Sequence, residues 1–227
     1  MSFLAKLFGL EKKSAPVEQK PVTPTPHDKS LSFLEVMEKR RSIYAIGRNL
    51  KQTPAEIEQL IQQAVKASPS AFNSQSSRAV ILFGQAHQQF WTIVLDALRK
   101  IVPSDAFSAT EQKIQSFIAG TGTVLFYEDK NVVKGLQEQF ALYAENFPVW
   151  SEHATAIAQF AVWSALAEQN IGASLQHYNP IVDQDVATAF QVPENWKLRA
   201  QLVFGSIESE AGEKSFINDA TRFKTFN

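Results

Sequence analysis

The chain has 227 residues, of which 44% are hydrophobic and 20% charged, a composition that can bury the core of one folded domain. Lysine and arginine number 22 and aspartate and glutamate 23, so the formal net charge of -1 gives no electrostatic case for nucleic-acid binding. The absence of cysteine excludes disulfides, thiol catalysis and cysteine-ligated zinc or iron–sulfur sites.

The first 30 residues differ in composition from the rest of the chain. The opening ten are apolar, but they lack the basic region and cleavage site of a secretory signal, and Ser2 replaces the glycine that N-myristoylation needs. Their spacing would let four residues share a helical face toward a membrane surface or a partner: Phe3, Leu4, Leu7 and Phe8. Residues 11–30 are proline-rich and aperiodic, which predicts a disordered extension over 1–30 and a folded domain over 31–227. No apolar run is long enough to span a bilayer, so we expect a cytoplasmic protein without a stable membrane anchor.

The folded domain opens with a predicted helix over residues 31–40, capped by Ser30 and ending in a cationic run. Cations at a helix C-terminus complement its dipole, which is the plain interpretation of Arg40 and Arg41. The alternative is a phosphate clamp, because guanidinium groups bind phosphate bidentately and Ser42 adds a hydroxyl.

A second helix is predicted to start at Thr53-Pro54-Ala55-Glu56 and to run to about Ala67, because this stretch supplies a cap, a first-position proline and a third-position glutamate. A polar loop follows over residues 68–77. Its amide side chains, including Asn73 and Gln75, can read the donors and acceptors of a planar heterocycle. Serine, asparagine and proline are equally ordinary turn formers, so a plain turn is the alternative.

The middle of the chain alternates between predicted helices and strands. Helical spacing covers residues 85–101, 104–118, 131–144 and 182–190, and strand patterns cover 78–83, 123–127 and 196–205. Phe147-Pro148-Val149-Trp150 is interpreted as a break whose aromatic side chains line a cleft or close the core. Ser151 is expected to cap the helix after this break.

Residues 154–166 are apolar on every side, which predicts a helix at the centre of the domain, with Gly172 as its stop. Asn179-Pro180 marks a turn. The helix is therefore expected to deliver the polar segment 176–178 to the interior or to a cleft wall. The plain alternative is a strand-to-loop transition with one satisfied histidine.

The tail over residues 207–227 has no core pattern but contains apolar anchors that are expected to pack on something, such as a second subunit. Arg222 and Lys224 alternate, which predicts that both lie on one face of an extended segment.

The sequence does not match the standard catalytic motifs. Gln176 replaces the last glycine of a nucleophile elbow, and the histidines show no metal-ligand spacing. Neither a Walker loop nor a dinucleotide fingerprint is present.

Taken together, four segments resemble the flavin-dependent nitroreductase family and, within it, a short branch of fungal and bacterial proteins with a Leu-Gln-His-Tyr-Asn-Pro signature. The segments are Arg40-Arg41-Ser42, the loop over 69–75, the signature at 175–180, and the pair Arg222 and Lys224. The resemblance covers roughly residues 31–227. It implies an α+β fold with a central, mostly antiparallel sheet flanked by helices. It also implies an obligate homodimer with two FMN sites at its interface and a C-terminal segment that wraps the partner.

The same resemblance implies roles for individual residues. The FMN phosphate and ribityl chain would be held by Arg40, Ser42, Arg222 and Lys224, with Arg41 beside them. The flavin ring and ribityl hydroxyls would meet Asn73 and Gln75. A backbone amide would approach flavin N5 and O4 from one of Gln176, His177 and Tyr178. The substrate cleft would be lined by Phe72, Phe147 and Trp150.

The implied activity is an NADH- or NADPH-dependent reduction of nitroaromatics, quinones or similar small-molecule acceptors, by ping-pong hydride transfer through flavin N5. The flavin carries the chemistry, so neither a catalytic side chain nor a metal is expected. Two positions depart from the family pattern: Ser76 replaces a common proline, and Tyr44 replaces a cation near flavin N1 and O2. The alternative is a non-catalytic or regulatory protein that binds a hydrophobic, lipid-like ligand in the same cleft.

Overall fold

A five-stranded sheet forms the centre of the computed structural model, which describes residues 31–227. The strands are β1 (Ile46–Gly47), β2 (Ser77–Phe83), β3 (Gly122–Asp129), β4 (Gly172–Gln176) and β5 (Trp196–Ile207). Their order is β1-β5-β3-β2, with β4 also paired to β5, and each of these pairings is antiparallel. The predicted extension over residues 1–30 lies outside the described residues.

Helices flank the sheet, which confirms the predicted α+β fold with its antiparallel sheet. The helices are α1 (Phe33–Lys39), α2 (Pro54–Ala67), α3 (Gly84–Arg99), α4 (Phe107–Ile118), α5 (Lys130–Gln139), α6 (Phe147–Glu168), α7 (Asp183–Phe190) and α8 (Asp219–Arg222). Short 3₁₀ turns lie at Ala71–Asn73 and Ala141–Tyr143. The second of these replaces the end of the helix predicted over 131–144. Across residues 31–227, none of the helices has the length and apolar character needed to cross a membrane.

Strand β3 is buried at every position and separates two hydrophobic cores. Because successive strand residues face opposite sides of a sheet, Leu125 and Tyr127 join the core that includes α3 and α4. Val124 and Phe126 join the other core, with residues of α2 and α6. The prediction of a buried central strand is thus confirmed, and α6 forms one of the layers that cover it.

Two helices begin with the same capping device. In α2, Thr53 donates its backbone N–H to the Glu56 carboxylate at 2.7 Å, and its hydroxyl accepts from the Glu56 N–H at 3.3 Å, as predicted. Ser32 and Glu35 form the equivalent capping box for α1. The cap of α1 is therefore Ser32 and not Ser30, which corrects the predicted start of this helix.

The central helix α6 starts earlier than predicted. Phe147 is its first residue, and Pro148 fits in the first turn because the backbone N–H that proline lacks would have no helical partner there. Ser151 is not a cap: its buried hydroxyl lies 2.8 Å from the Ser76 hydroxyl and ties α6 to the residue preceding β2. The predicted break over residues 147–150 is wrong.

The end of α6 is also set by a different residue than predicted. Asn170 has a φ of +58°, in the left-handed region where asparagine is tolerated. Its N–H donates to the Ala167 carbonyl at 3.1 Å, and the Ile171 N–H donates to the Leu166 carbonyl at 2.9 Å. These two bonds form a Schellman motif, which satisfies the last carbonyls of the helix. Gly172 is not the stop but the first residue of β4.

We predict that His87 makes the folded state sensitive to acid. Burial lowers the pKa of His87 to about 4, because the residue is only 1% exposed. Its Nδ1 lies 2.9 Å from the Thr123 hydroxyl. An unfolded histidine titrates near 6.5, so the unfolded state binds more protons between these two values. This stabilising contribution is therefore complete above about pH 6.5 and is lost as the pH falls toward about 4, by up to about 3 kcal/mol.

Urea denaturation at neutral and acidic pH checks this prediction by comparing the wild type with His87→Gln. The variant should lose less free energy of unfolding on acidification than the wild type does. Equal losses in the two proteins would show that His87 does not control the acid response.

Candidate functional site

The segment that follows α1 is held against the start of β4. Ser42 forms a parallel bridge with Ala173, and the Ile43 N–H donates to the Ala173 carbonyl at 3.0 Å. The Arg40-Arg41-Ser42 motif therefore lies beside the strand that leads to the signature segment. The sequence did not show this pairing, because the two segments are far apart in the chain.

Arg40, Arg41, Ser42 and Tyr44 line a cavity of about 540 Å³, hereafter the arginine cavity. Its opposite wall is the segment 209–214, which contributes two glutamates and one lysine. The Arg41 guanidinium donates to the Gly212 carbonyl at 2.7 Å and so fixes this wall. The sequence left both interpretations of the arginines open, and the structure places Arg40 at the C-terminus of α1 and both arginines on the wall of this cavity.

The Arg40 guanidinium is the most constrained group of the arginine cavity. Burial, and secondarily the neighbouring charge of Arg41, lower the pKa of Arg40, which still remains charged at neutral pH. Its guanidinium carbon lies 4.4 Å from the ring centroid of Trp163 on α6. Among residues 31–227, its buried Nε has no hydrogen-bond partner. Arg40 is thus a partly buried cation with spare donors.

The loop over residues 69–75 adopts a strained backbone. Phe72, Asn73 and Gln75 all have positive φ values, of +56°, +47° and +47°. The Gln75 N–H donates to the Ser70 hydroxyl at 2.9 Å, and Arg78 donates to the Gln75 carbonyl. Left-handed conformations of residues other than glycine cost about 1–3 kcal/mol each and occur often at functional sites. The loop is therefore a strained turn, and a role for it in binding a planar heterocycle stays a prediction.

Aromatic side chains hold this loop in place. The Phe72 ring centroid lies 4.9 Å from that of Phe140, 5.3 Å from Phe147 and 6.1 Å from Trp150. Phe147 is only 2% exposed and closes the core beneath the other two predicted cleft residues. Phe72 and Trp150 line a cavity of about 330 Å³ together with His153 and Ile157, hereafter the aromatic cavity.

The single chain does not gather all predicted site residues around one cavity. Asn73 is exposed at the loop tip, and Gln75 lines a separate cavity with Ser70 and Arg78. The loop is thus set apart from the arginine cavity, which is walled by the segments 40–45 and 209–214. Within residues 31–227, no three potential metal-ligating side chains are grouped closely enough to bind a metal ion.

The signature segment leaves β4 as a turn that is organised by Gln201 of β5. Gln201 is fully buried; its Oε1 accepts from the Tyr178 N–H at 2.7 Å, and its Nε2 donates to Asn179 Oδ1 at 3.2 Å. Gln176 is buried in β4 opposite Gln201, whereas His177 is exposed. Burial raises the pKa of Tyr178 to about 12, so its phenol stays protonated at neutral pH.

Sequence reasoning missed both Gln201 and Trp163. A signal for Gln201 was present, because a glutamine interrupts the otherwise apolar run from Ala200 to Phe204. A buried amide needs partners, which points to a structural or functional role. Trp163 gave no such signal, because tryptophan is a common core residue in an apolar helix.

Replacing Gln201 by leucine should destabilise the turn that the signature segment forms after β4. The Tyr178 N–H would lose its acceptor, and an unsatisfied buried donor costs about 1–3 kcal/mol of folding free energy. Urea denaturation should show this loss, and amide hydrogen exchange should show faster exchange of Tyr178. Gln63→Leu, the same change on the exposed face of α2, is the control and should alter neither quantity. Unchanged exchange at Tyr178 in Gln201→Leu would contradict the assigned role.

The tail differs from its prediction. Arg222 ends the helical turn α8, which is capped by the Asn218 side chain accepting from the Ala220 N–H at 2.8 Å. Arg222 and Lys224 therefore do not share one face of an extended segment, and neither lines the arginine cavity. Residues 212–227 are exposed in the single chain, including Phe216 and Phe226.

Comparison with known proteins gives three informative similarities. Nitroreductase CinD from Lactococcus lactis, in complex with chloramphenicol, is 51% identical, with a TM-score of 0.80 over 86% of this chain and 100% of that chain. The same protein is also known in complex with 4-nitrophenol. HBN1 from Saccharomyces cerevisiae is 35% identical over 195 residues, covering 85% of this chain and 97% of that protein. A nitroreductase with bound FMN from Desulfitobacterium hafniense shares the fold alone, at 13% identity and a TM-score of 0.63 over 86% of this chain and 98% of that chain.

The family model described as the nitroreductase family matches residues 37–206. This range runs from α1 to the end of β5 and includes the arginine segment, the strained loop and the signature turn. The fold, the relatives and the family match agree with the family-level resemblance, and this chain belongs to the nitroreductase family.

Proposed function

We propose that this chain is an FMN-dependent oxidoreductase that takes hydride from NADH or NADPH and reduces nitroaromatic, quinone or similar acceptors. The observation that carries the proposal is the arginine cavity, where the partly buried Arg40 guanidinium lies beside Arg41 and Ser42 and its Nε has no hydrogen-bond partner among residues 31–227. Support also comes from CinD, which binds 4-nitrophenol and chloramphenicol, and from the Desulfitobacterium protein, which binds FMN.

The residues of the arginine cavity fit a phosphate ester. Arg40 and Arg41 offer planar guanidinium donors, and Ser42 offers a hydroxyl on a backbone that is fixed against β4. Glu210 and Glu213 on the opposite wall reduce the net positive charge. Arg222 and Lys224 do not line this cavity in the single chain, and we propose that they join the phosphate site in the dimer, where their added cations would favour a dianionic phosphate group.

We propose that the site is completed by a second copy of the chain. The loop with Asn73 and Gln75 lies apart from the arginine cavity, so the loop of one copy would meet the cavity of the other. Two exposed surfaces support a homodimer. The apolar helix α6 leaves Val149 and Ile157 at 52% and 41% exposure, and the tail exposes Phe216 at 72%. Large exposed apolar surfaces mark interaction sites.

FMN, when bound, supplies the hydride-accepting and hydride-donating chemistry, so the protein groups act by binding and orientation. The Tyr178 amide is already bonded to Gln201, and Gln176 lies within the β4–β5 ladder. This leaves the His177 amide as our candidate for the donor toward flavin N5. His177 would then act through its backbone N–H and not through its side chain. We propose the same role for the histidine of the Leu-Gln-His-Tyr-Asn-Pro signature in the other proteins of that branch.

The aromatic cavity is our candidate for part of the acceptor site. Phe72 and Trp150 offer flat apolar faces, and aromatic acceptors prefer offset-stacked or edge contacts with such rings. Hydride transfer needs close stacking of donor and acceptor and no general acid. A cytoplasmic location stays a prediction.

Stoichiometric binding of FMN tests this proposal. Apoprotein titrated with FMN should bind one molecule per chain, and sedimentation should show a dimer with two bound molecules. Binding should be stronger for FMN than for riboflavin, because riboflavin lacks the phosphate. A protein that binds no flavin and instead retains an apolar ligand would support the alternative, a non-catalytic binding protein for lipid-like molecules.

A further inference from the structure

Trp163 lies under the guanidinium of Arg40. Arg40 follows α1 directly, and its backbone N–H donates to the Val36 carbonyl at 2.9 Å, so its main chain is fixed. Its side chain then extends over α6, where the guanidinium carbon lies 4.4 Å from the centroid of the indole. This distance lies well within the range of a cation–π contact, which is attractive because the ring face carries negative electrostatic potential.

Arg40 needs such a contact because it has few other stabilising partners. Its Nε is buried without a hydrogen-bond partner among residues 31–227, and the charge of Arg41 lies next to it in sequence. A long flexible cation in this situation would normally turn its head toward water. The face of Trp163 offsets part of the lost hydration and keeps the guanidinium on the wall of the arginine cavity.

Core packing alone does not explain an indole at this position. The Trp163 Nε1 is buried and has no hydrogen-bond partner among the described residues. Phenylalanine or leucine would fill the space without burying an unpaired donor, which normally costs stability. What the indole adds is the strongest cation–π face of the natural side chains.

We propose that Trp163 is a positioning residue that holds the Arg40 guanidinium in the geometry required to bind the FMN phosphate. This inference rests on the proposed function. Arg40 makes the phosphate contact, and Trp163 acts through Arg40 by restricting its side chain before the ligand arrives. A residue that acts in this way changes the affinity for the phosphate and leaves the affinity for the rest of the flavin unchanged.

The test compares FMN with riboflavin in three apoproteins: wild type, Trp163→Phe and Trp163→Leu. The Kd for FMN should rise about tenfold in Trp163→Leu, with a smaller rise in Trp163→Phe, which keeps a weaker aromatic face. The Kd for riboflavin should stay the same in all three proteins. A general packing defect would weaken both ligands alike, and that outcome would overturn the proposal.

A double-mutant cycle with Arg40→Ala gives a second criterion. If Trp163 acts through Arg40, adding Trp163→Leu to Arg40→Ala should weaken FMN binding no further. Additive losses would contradict the assigned role. If Trp163→Leu fails to fold, Trp163→Phe and its combination with Arg40→Ala decide the matter alone.

Trp196→Phe is the matched control. Trp196 also lies near a guanidinium, with the Arg78 carbon 5.8 Å from its ring centroid, but Arg78 is already paired with Asp129 at 2.9 Å. This variant should leave the ratio of the two Kd values unchanged. A wild type that binds neither flavin would refute the proposed function and this inference with it. A wild type that prefers FMN, with no change of the ratio in the Trp163 variants, would refute the inference alone.

Discussion

Replacing both Arg222 and Lys224 by alanine is expected to raise the Kd for FMN about 100-fold or more, because each charge-assisted phosphate contact contributes about 1.5–3 kcal/mol. Both side chains are exposed in the single chain and form no ion pair within residues 31–227. The tail is exposed and carries apolar residues that can pack on a second subunit. Its two cations are therefore available to a phosphate site that is complete only in the dimer. The affinity for riboflavin should change little, since riboflavin carries no phosphate.

Titration of the apoprotein by flavin fluorescence measures both affinities. The control is the double variant Lys51→Ala with Lys100→Ala, which removes two exposed cations outside the tail. It should bind FMN like the wild type at the same ionic strength. Wild-type affinity in the tail variant would show that Arg222 and Lys224 take no part in binding the phosphate.

Arg199→Met should destabilise the fold by about 3–5 kcal/mol, because it leaves a buried carboxylate without its cation. The Glu128 side chain is 4% exposed, and the Arg199 Nε donates to Glu128 Oε2 at 2.8 Å. A second guanidinium nitrogen of Arg199 lies 2.6 Å from Glu152 Oε1 and so ties β3 and β5 to α6. Urea denaturation gives the loss in the free energy of unfolding.

Two further variants separate charge from packing in this cluster. Lys197→Met removes an exposed cation from the same strand and should cost little. Combining Glu128→Gln with Arg199→Met removes the buried charge together with its partner, so the double variant should be more stable than Arg199→Met alone. A double variant less stable than Arg199→Met would contradict the charge-based explanation.

Local signals in the sequence were sufficient for most elements of the fold. Thr53, Pro54 and Glu56 lie within one turn of α2, so their capping contacts are set by neighbours in the chain. The apolar run of β3 was predicted correctly because burial on both faces leaves a continuous hydrophobic pattern. The motifs at residues 40–42, 69–75 and 175–180 were sufficient to identify the nitroreductase family, which the comparisons show.

The errors concern residues whose behaviour depends on context. Pro148 can either break a helix or begin one, and only the packing of Phe147 into the core decides between them. Asn170 ends α6, although Gly172, two residues later, is of the residue type that more often ends a helix. Contacts between distant segments, such as Arg40 with Trp163 and Gln201 with Tyr178, left no local pattern that periodicity could detect.

An anaerobic titration of the purified protein with NADH and with NADPH tests whether the chain is a flavin-dependent oxidoreductase. We expect the protein to carry the visible absorbance of bound FMN, one of the two nucleotides to bleach it, and a nitroaromatic acceptor to restore it. A protein that binds FMN but is not reduced by either nucleotide, or that shows no flavin absorbance after incubation with FMN, would contradict the proposed oxidoreductase function.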